Sequence, residues 1–123
     1  MTTKRNRALI VEDEFLIAEG LRVQLETIGL EVCGVATTAD EAVALNEQHR
    51  PDLVLMDVRL GGARDGVDAA MEIHETTRTP VIFLTGSRED MTIARINKDH
   101  PAGILFKPIS PLQLQRTIQS VIN

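Results

Sequence analysis

Acidic residues stand at the ends of two short apolar stretches of this sequence. Residues 53–56 run directly into Asp57, and residues 8–11 run into Glu12 and Asp13. An unpaired carboxylate is costly to bury, so an acidic residue that ends a buried stretch needs a partner. A lone aspartate in such a place is more often a turn or helix-capping residue. The other strand-end residues decide between these two interpretations of Asp57.

Two further apolar stretches end in polar residues that complement these acids. Residues 81–84 are followed by Thr85, and residues 104–106 are followed by Lys107. Three carboxylates in one place repel one another unless a cation is close, and an open site with oxygen ligands suits Mg²⁺. Lys107 adds a positive charge, and Thr85 adds a hydroxyl donor. Such a set suits an incoming phosphoryl group, with Asp57 as the nucleophile that forms an acyl phosphate.

The elements that must position these residues alternate along the chain. The sequence predicts strands at 8–11, 31–36, 53–58, 81–84 and 104–106, and helices at 16–28, 38–50, 67–73, 88–99 and 111–122. Near-continuous apolar strands that alternate with helices predict an α/β protein with a parallel sheet covered on both faces. Ligands of such sheets bind at the carboxyl ends of the strands, where the acidic and basic residues are predicted to lie.

Helix starts carry their own signals. Thr38 followed by Glu41 fits a capping box, and Asp65 is predicted to cap the third helix. Ser110 precedes Pro111, which is a favoured first residue of a helix. These signals support the predicted order of elements.

Composition limits the function. The 123 residues are enough for one domain and too few for two, so we expect a single domain over residues 1–123 without an effector domain. The net charge of -5 argues against a general nucleic-acid or membrane-surface binder. No apolar run approaches the roughly 20 residues that span a bilayer, and no signal peptide is recognisable, which predicts a cytoplasmic protein. The one cysteine, Cys33, excludes an intramolecular disulfide and is expected to be a small, half-buried strand residue.

Five motifs together give the chain a family resemblance. From about residue 7 to 122 it resembles the receiver domain of bacterial two-component response regulators, of the single-domain, chemotaxis-regulator-like type. The motifs are, in order, Val11-Glu12-Asp13-Glu14, Leu55-Met56-Asp57, Asp65-Gly66, Leu84-Thr85-Gly86 and Phe106-Lys107-Pro108. The resemblance implies a flavodoxin-like, doubly wound sheet of five strands in the order 2-1-3-4-5 with five helices. It also implies a cis peptide bond between Lys107 and Pro108 in many members.

The resemblance also implies roles for the strand-end residues. Asp57 would accept a phosphoryl group from a histidine kinase or a histidine phosphotransfer protein. Thr85 would bond a phosphoryl oxygen, and Lys107 would pair with the phosphoryl group. Mg²⁺ would be held by the side chains of Glu12, Asp13 and Asp57 and by the backbone carbonyl of Arg59. The chain would not be an enzyme in the usual sense, because it would catalyse only its own phosphorylation and dephosphorylation.

Three positions depart from the family pattern. Ile104 stands three residues before Lys107, where the family often has Tyr or Phe, so the switch formed with Thr85 is expected to be of shorter range. The loop after Asp57 looks one residue longer than in the commonest members. Arg59 is a bulky cation that we expect to overhang the site and to affect the lifetime of an acyl phosphate.

The fourth predicted helix is the least cleanly amphipathic in the chain. Met91, Ile93 and Ile96 cannot all point inward at helical spacing, so part of this helix should expose apolar surface. We therefore expect the face of helix four, strand five and helix five to bind a downstream protein, with no direct binding to nucleic acid or membrane. The chain is expected to be a monomer or a weak homodimer. Three basic residues here are expected to form a solvated face: Arg88, Arg95 and Lys98.

Three alternatives to an output regulator stay open on sequence grounds. A pseudo-receiver would keep the fold as a binding module without being phosphorylated. A relay or phosphate sink would take the phosphoryl group without signalling through a target. A small-molecule hydrolase is the poorest alternative, because the sequence shows no substrate pocket beyond the phosphoryl position. The intact acidic set favours a phosphorylated receiver, whose cognate kinase and target the sequence does not name.

Overall fold

The five strands form one parallel sheet in the order β2-β1-β3-β4-β5, so the predicted architecture and strand order are confirmed. The computed structural model describes residues 6–86 and 88–122; residues 1–5, Asn123 and Ser87, which the sequence places in the loop after the fourth strand, lie outside the described residues. The strands are β1 (Arg7–Val11), β2 (Glu31–Ala36), β3 (Leu53–Asp57), β4 (Val81–Thr85) and β5 (Gly103–Phe106). The helices are α1 (Phe15–Thr27), α2 (Ala39–His49), α3 (Gly66–Thr76), α4 (Asp90–Lys98) and α5 (Pro111–Ile122).

Both faces of the sheet are buried. Because successive side chains of a strand point to opposite faces, β1 sends Leu9 and Val11 into a core with α2 and α3, and Ala8 and Ile10 into a core with α1 and α5. All five residues of β3 are buried, as a central parallel strand requires. Full burial of one large aliphatic side chain contributes about 1.5–3 kcal/mol against the entropy of ordering the chain. The sheet is therefore a rigid base for the residues at its carboxyl edge.

Helices α2 and α3 begin with side-chain caps. The Thr38 hydroxyl accepts a hydrogen bond from the Glu41 backbone N–H at 3.1 Å, as predicted. The predicted capping box is wrong in its second half, because the Glu41 carboxylate accepts from the Thr37 N–H at 2.7 Å and thus caps one residue earlier. At α3 the box is complete: Asp65 accepts from the Asp68 N–H, and the Asp68 carboxylate accepts from the Asp65 N–H.

The segment between β5 and α5 follows the sequence prediction. Pro111 is the first residue of α5, and the Ser110 hydroxyl accepts from the Gln113 N–H at 3.0 Å. The Lys107–Pro108 peptide bond is cis, as the resemblance implied. The Lys107 N–H donates to the Thr85 carbonyl at 2.8 Å and so extends the pairing of β4 with β5. Lys107 is thereby fixed at the carboxyl edge.

Helix α4 is shorter than the predicted 88–99 and is poorly anchored. Ile96 is fully buried, Ile93 is half-buried and Met91 is 81% exposed, so the prediction that these three cannot all point inward is confirmed. Within the described residues, the side chain of Glu89, which directly precedes α4, makes no capping hydrogen bond.

Helix α1 also exposes apolar residues, which lie away from the face that Leu21 and Leu25 share. Leu16 is 82% exposed, whereas Leu21 and Leu25 are buried. Across the described ranges, every helix is too short or too polar to traverse a bilayer.

Candidate functional site

The carboxyl edge of the sheet brings the three predicted acidic residues together. Glu12 and Asp13 follow β1, and Asp57 ends β3. One carboxylate oxygen from each lies within 4.8 Å of the others, and in the described part of the chain this is the one acidic, histidine or cysteine cluster close enough to share a metal ion. Glu12 is 2% exposed and Asp57 is 4% exposed, while Asp13 faces solvent.

Lys107 is the cation of this cluster. Its Nζ lies 3.3 Å from Oδ1 of Asp57 and 3.8 Å from Oε2 of Glu12. Two backbone N–H groups also donate hydrogen bonds to the carboxylates of the cluster. The Arg59 N–H donates to Oδ1 of Asp57, and the Glu14 N–H donates to Oε1 of Glu12, both at 3.3 Å. One lysine faces three carboxylates, so the cluster keeps an excess of negative charge.

Burial and the neighbouring negative charge both act on the pKa of Glu12. Burial raises the pKa of Glu12 to about 7, the neighbouring Asp57 carboxylate adds to this, and Lys107 offsets it only in part. Its Oε2 atom is buried and accepts no hydrogen bond. Converging hard oxygens, one of them buried without a hydrogen bond, fit a small divalent cation such as Mg²⁺, which binds oxygen and keeps some of its waters.

Gly66 lies directly against the backbone of Asp57. The Gly66 N–H donates to the Val58 carbonyl at 2.8 Å, and a Cβ atom on Gly66 would collide with the Asp57 carbonyl oxygen. Asp65 caps α3 as predicted, and this glycine lets the first turn of α3 approach the backbone of β3.

A cleft of about 620 Å³ opens over Asp57. Thr85 and Lys107, from the ends of β4 and β5, line it together with Asp57. Thr85 is 2% exposed, so its position is set by the sheet. Three arginines also line the cleft: Arg59, Arg88 and Arg95.

Two of these arginines, Arg88 and Arg95, are exposed as predicted, and both also make contacts that the sequence analysis did not predict. The Arg88 guanidinium lies 4.1 Å from the centre of the Phe106 ring. Arg95 pairs with Asp65 at 2.7 Å and with Asp68 at 3.2 Å. The carboxylate partners of Arg95 lie 27 to 30 residues away in the chain, so local spacing carries no signal for these contacts.

Ile104 is not among the residues that line the cleft. It is half-buried on β5, opposite Phe83 of β4, and packs against the core that also holds Ile96 of α4. Its predicted switch role, like the predicted metal contact of the Arg59 carbonyl, stays a prediction.

Comparison with known proteins agrees with this geometry. Residues 8–119 match the family model of the response regulator receiver domain. The chain is 38% identical over 117 residues to the transcriptional regulatory protein PdtaR of Mycobacterium tuberculosis, which covers 95% of this chain and 57% of that protein. It is 36% identical over 115 residues to the phyllosphere-induced regulator PhyR of Methylorubrum extorquens, which covers 93% of this chain and 42% of that protein.

A solved structure is similar over nearly its whole length. The signal receiver domain of a modulated diguanylate cyclase from Desulfovibrio desulfuricans superposes with a TM-score of 0.90 at 39% identity, covering 97% of this chain and 94% of that one. The chain spans about half the length of the curated relatives it matches. The family match, the strand order and the acidic cluster beside the strand-end threonine and lysine all agree. The chain belongs to the response regulator receiver domain family of two-component systems.

Proposed function

We propose that the chain is a phosphorylated receiver, which takes a phosphoryl group onto Asp57 from a histidine kinase or a histidine phosphotransfer protein. The observation that carries this proposal is the 3.3 Å separation of Lys107 Nζ and Asp57 Oδ1 within the acidic cluster, at the base of an open cleft. Asp57 thus combines a carboxylate nucleophile with a cation beside it and room for a donor above it.

The chemistry is a phosphoryl transfer between two side chains. A carboxylate oxygen of Asp57 forms a bond to phosphorus as the bond from phosphorus to the donor's imidazole nitrogen breaks, and the electron pair leaves with the imidazole. Lys107 neutralises charge on the transferring oxygens, and the Thr85 hydroxyl donates to one of them. A bound Mg²⁺ would supply further charge neutralisation, and Glu12, Asp13 and Asp57 are the side chains that would hold it.

The test is phosphorylation by a small donor. Acetyl phosphate with Mg²⁺ should add one phosphoryl mass to the wild-type chain, measured by intact mass spectrometry, and Asp57→Asn should abolish the addition. Asp40→Asn is the matched control, because Asp40 is an exposed aspartate that pairs with Arg64 outside the cleft. Unchanged labelling of Asp57→Asn would refute the site, and an unlabelled wild-type chain would favour the pseudo-receiver alternative.

Metal binding is a separate part of the proposal. Mg²⁺ titration by calorimetry should show weak, exchangeable binding to the wild-type chain and much weaker binding to Asp13→Ala. Removing one of three repelling carboxylates should also leave the metal-free variant at least as stable as wild type. Equal affinity in Asp13→Ala and wild type would contradict the assignment of Asp13 as a ligand.

We further propose that the signal leaves through the face of α4, β5 and α5. Met91 exposes apolar surface there, and the β4–α4 loop connects that face to Thr85. Phosphorylation would act as a bias on two existing conformations of this loop and of α4. Amide hydrogen exchange with and without beryllofluoride, a phosphoryl mimic, should change mainly over residues 86–106. Changes confined to α2 and α3 would exclude this output face.

A further inference from the structure

Two arginines reach the cleft from the β4–α4 side, and each is held by a different kind of contact. Arg88, just before α4, lies over the face of Phe106 at 4.1 Å. Arg95, within α4, donates to both carboxylate oxygens of Asp65, at 2.7 and 3.2 Å, and to Asp68 at 3.2 Å. The two contacts differ in strength, because a guanidinium paired with two carboxylates is held more firmly than an exposed one on a neutral ring.

The Arg88 contact joins the loop after β4 to the end of β5. Phe106 pairs with Thr85 in the register of the two strands, and it directly precedes Lys107. Arg88 follows Thr85 by three residues, so it starts from the same part of the cleft as the two side chains expected to contact a phosphoryl group. Asp57 lies at the base of that cleft.

We propose that Arg88 is a further ligand of the phosphoryl group on Asp57, and that it leaves Phe106 when the group is present. The inference rests on the proposed function of Asp57. A phosphoryl group brings close to two negative charges and three acceptor oxygens, and the planar guanidinium can donate two hydrogen bonds to it. The ring of Phe106 offers only a weak, exposed alternative.

The release of Arg88 has a structural consequence. The loop that leads into α4 loses this contact with β5, while Arg95 still ties α4 to the first turn of α3. Helix α4 would therefore move at its amino-terminal end and stay in place near Arg95. Arg88 and Phe106 thus carry the signal in a chain where Ile104 offers no aromatic ring.

The experiment measures beryllofluoride affinity by fluorine NMR in the presence of Mg²⁺. Arg88→Ala should weaken binding about tenfold, the effect of losing one charge-assisted hydrogen bond. Arg116→Ala, an exposed arginine of α5, removes the same charge away from the cleft and should change affinity less than twofold. Phe106→Leu should tighten binding about twofold, because Arg88 then has no competing ring. Arg88→Lys keeps the charge without the planar fork and should lie between Arg88→Ala and wild type.

Each outcome decides the proposal. Equal affinities of Arg88→Ala and Arg116→Ala would overturn it while leaving the role of Asp57 intact. Weakened binding in both Arg88→Ala and Phe106→Leu would mean that the pair only supports the loop, which also overturns it. A tenfold loss in Arg59→Ala with none in Arg88→Ala would assign the contact to Arg59 instead. No bound beryllofluoride in the wild-type chain would overturn this inference together with the proposed function.

Discussion

The two walls of the cleft over Asp57 are built differently. The α3 wall, residues 57–73, packs Gly66 against the Asp57 backbone, begins α3 with a complete capping box and buries Val67, Ala70 and Ile73 completely. The α4 wall, described at residues 85, 86 and 88–98, has no capping hydrogen bond from the Glu89 side chain and fully buries only Ile96 among its helical residues. Few buried contacts make local opening easier. A phosphoryl group should therefore move the α4 wall against a fixed α3 wall.

The variant expected to change the free energy of unfolding most is Gly66→Ala, in the α3 wall. The new Cβ would meet the Asp57 carbonyl oxygen, and neither backbone can yield without moving α3 or β3. We expect a loss of about 4 kcal/mol in the free energy of unfolding, measured by urea denaturation. Gly86→Ala in the α4 wall is the control, because a Cβ there meets nothing within 4 Å and should cost less than about 0.5 kcal/mol. Similar losses in both variants would show that the two walls are equally rigid.

The next test removes the anchor of α4. Ile96→Ala should lower the free energy of unfolding by about 3 kcal/mol, because Ile96 is fully buried, whereas Met91→Ala should change it by less than about 0.5 kcal/mol. Amide hydrogen exchange should speed up more in α4 than in α3 of the Ile96→Ala variant. Equal loss of protection in both helices would mean that the walls open as one unit.

The smallest expected effect concerns the ion pairs that join the two walls, between Arg95 of α4 and Asp65 and Asp68 at the start of α3. Burial acts to raise the pKa of Asp65, but hydrogen bonds from Arg95 and from the Asp68 N–H outweigh it and lower that pKa below 3.8. A depressed pKa gives stability that is present above the unfolded value of 3.8 and is lost as the pH falls through the folded pKa. Because both side chains are partly exposed, Arg95→Ala should cost less than about 1 kcal/mol at neutral pH.

The pH dependence supplies the check. Urea denaturation of wild type and Arg95→Ala should differ at neutral pH and converge as the pH falls below the unfolded value of 3.8. Arg22→Ala is the matched control, since it breaks a similarly exposed ion pair with Glu19 inside α1. Arg95→Ala should also speed hydrogen exchange in α4, and Arg22→Ala should not. A constant difference between wild type and Arg95→Ala at all pH values would contradict the role given to Asp65.

The sequence predicted how α3 begins but missed the contacts of the arginines in the α4 wall, and it misplaced the ends of both helices. Asp65 was identified as the cap of α3 from its place before an apolar helix, and the structure confirms it. Helix α3 begins one residue before the predicted 67–73 and ends three residues after it, and α4 begins two residues after the predicted 88–99 starts and ends one residue before it stops. The apolar residues of α4 form no clean stripe that marks its ends. The exposure of Arg88 and Arg95 was predicted, but their contacts with Phe106, Asp65 and Asp68 were not, because these partners lie far from them in the chain.

By itself the sequence determined the order of elements, the parallel sheet and the identity of the residues at its carboxyl edge. Apolar runs and helical spacing are local patterns, and burial of those runs leaves few arrangements in which Glu12, Asp57 and Lys107 do not meet. Only the tertiary structure decided the raised pKa of Glu12, the collision that reserves position 66 for glycine, and the two different contacts of Arg88 and Arg95. These depend on burial and on distances between residues far apart in the chain, which no local pattern encodes.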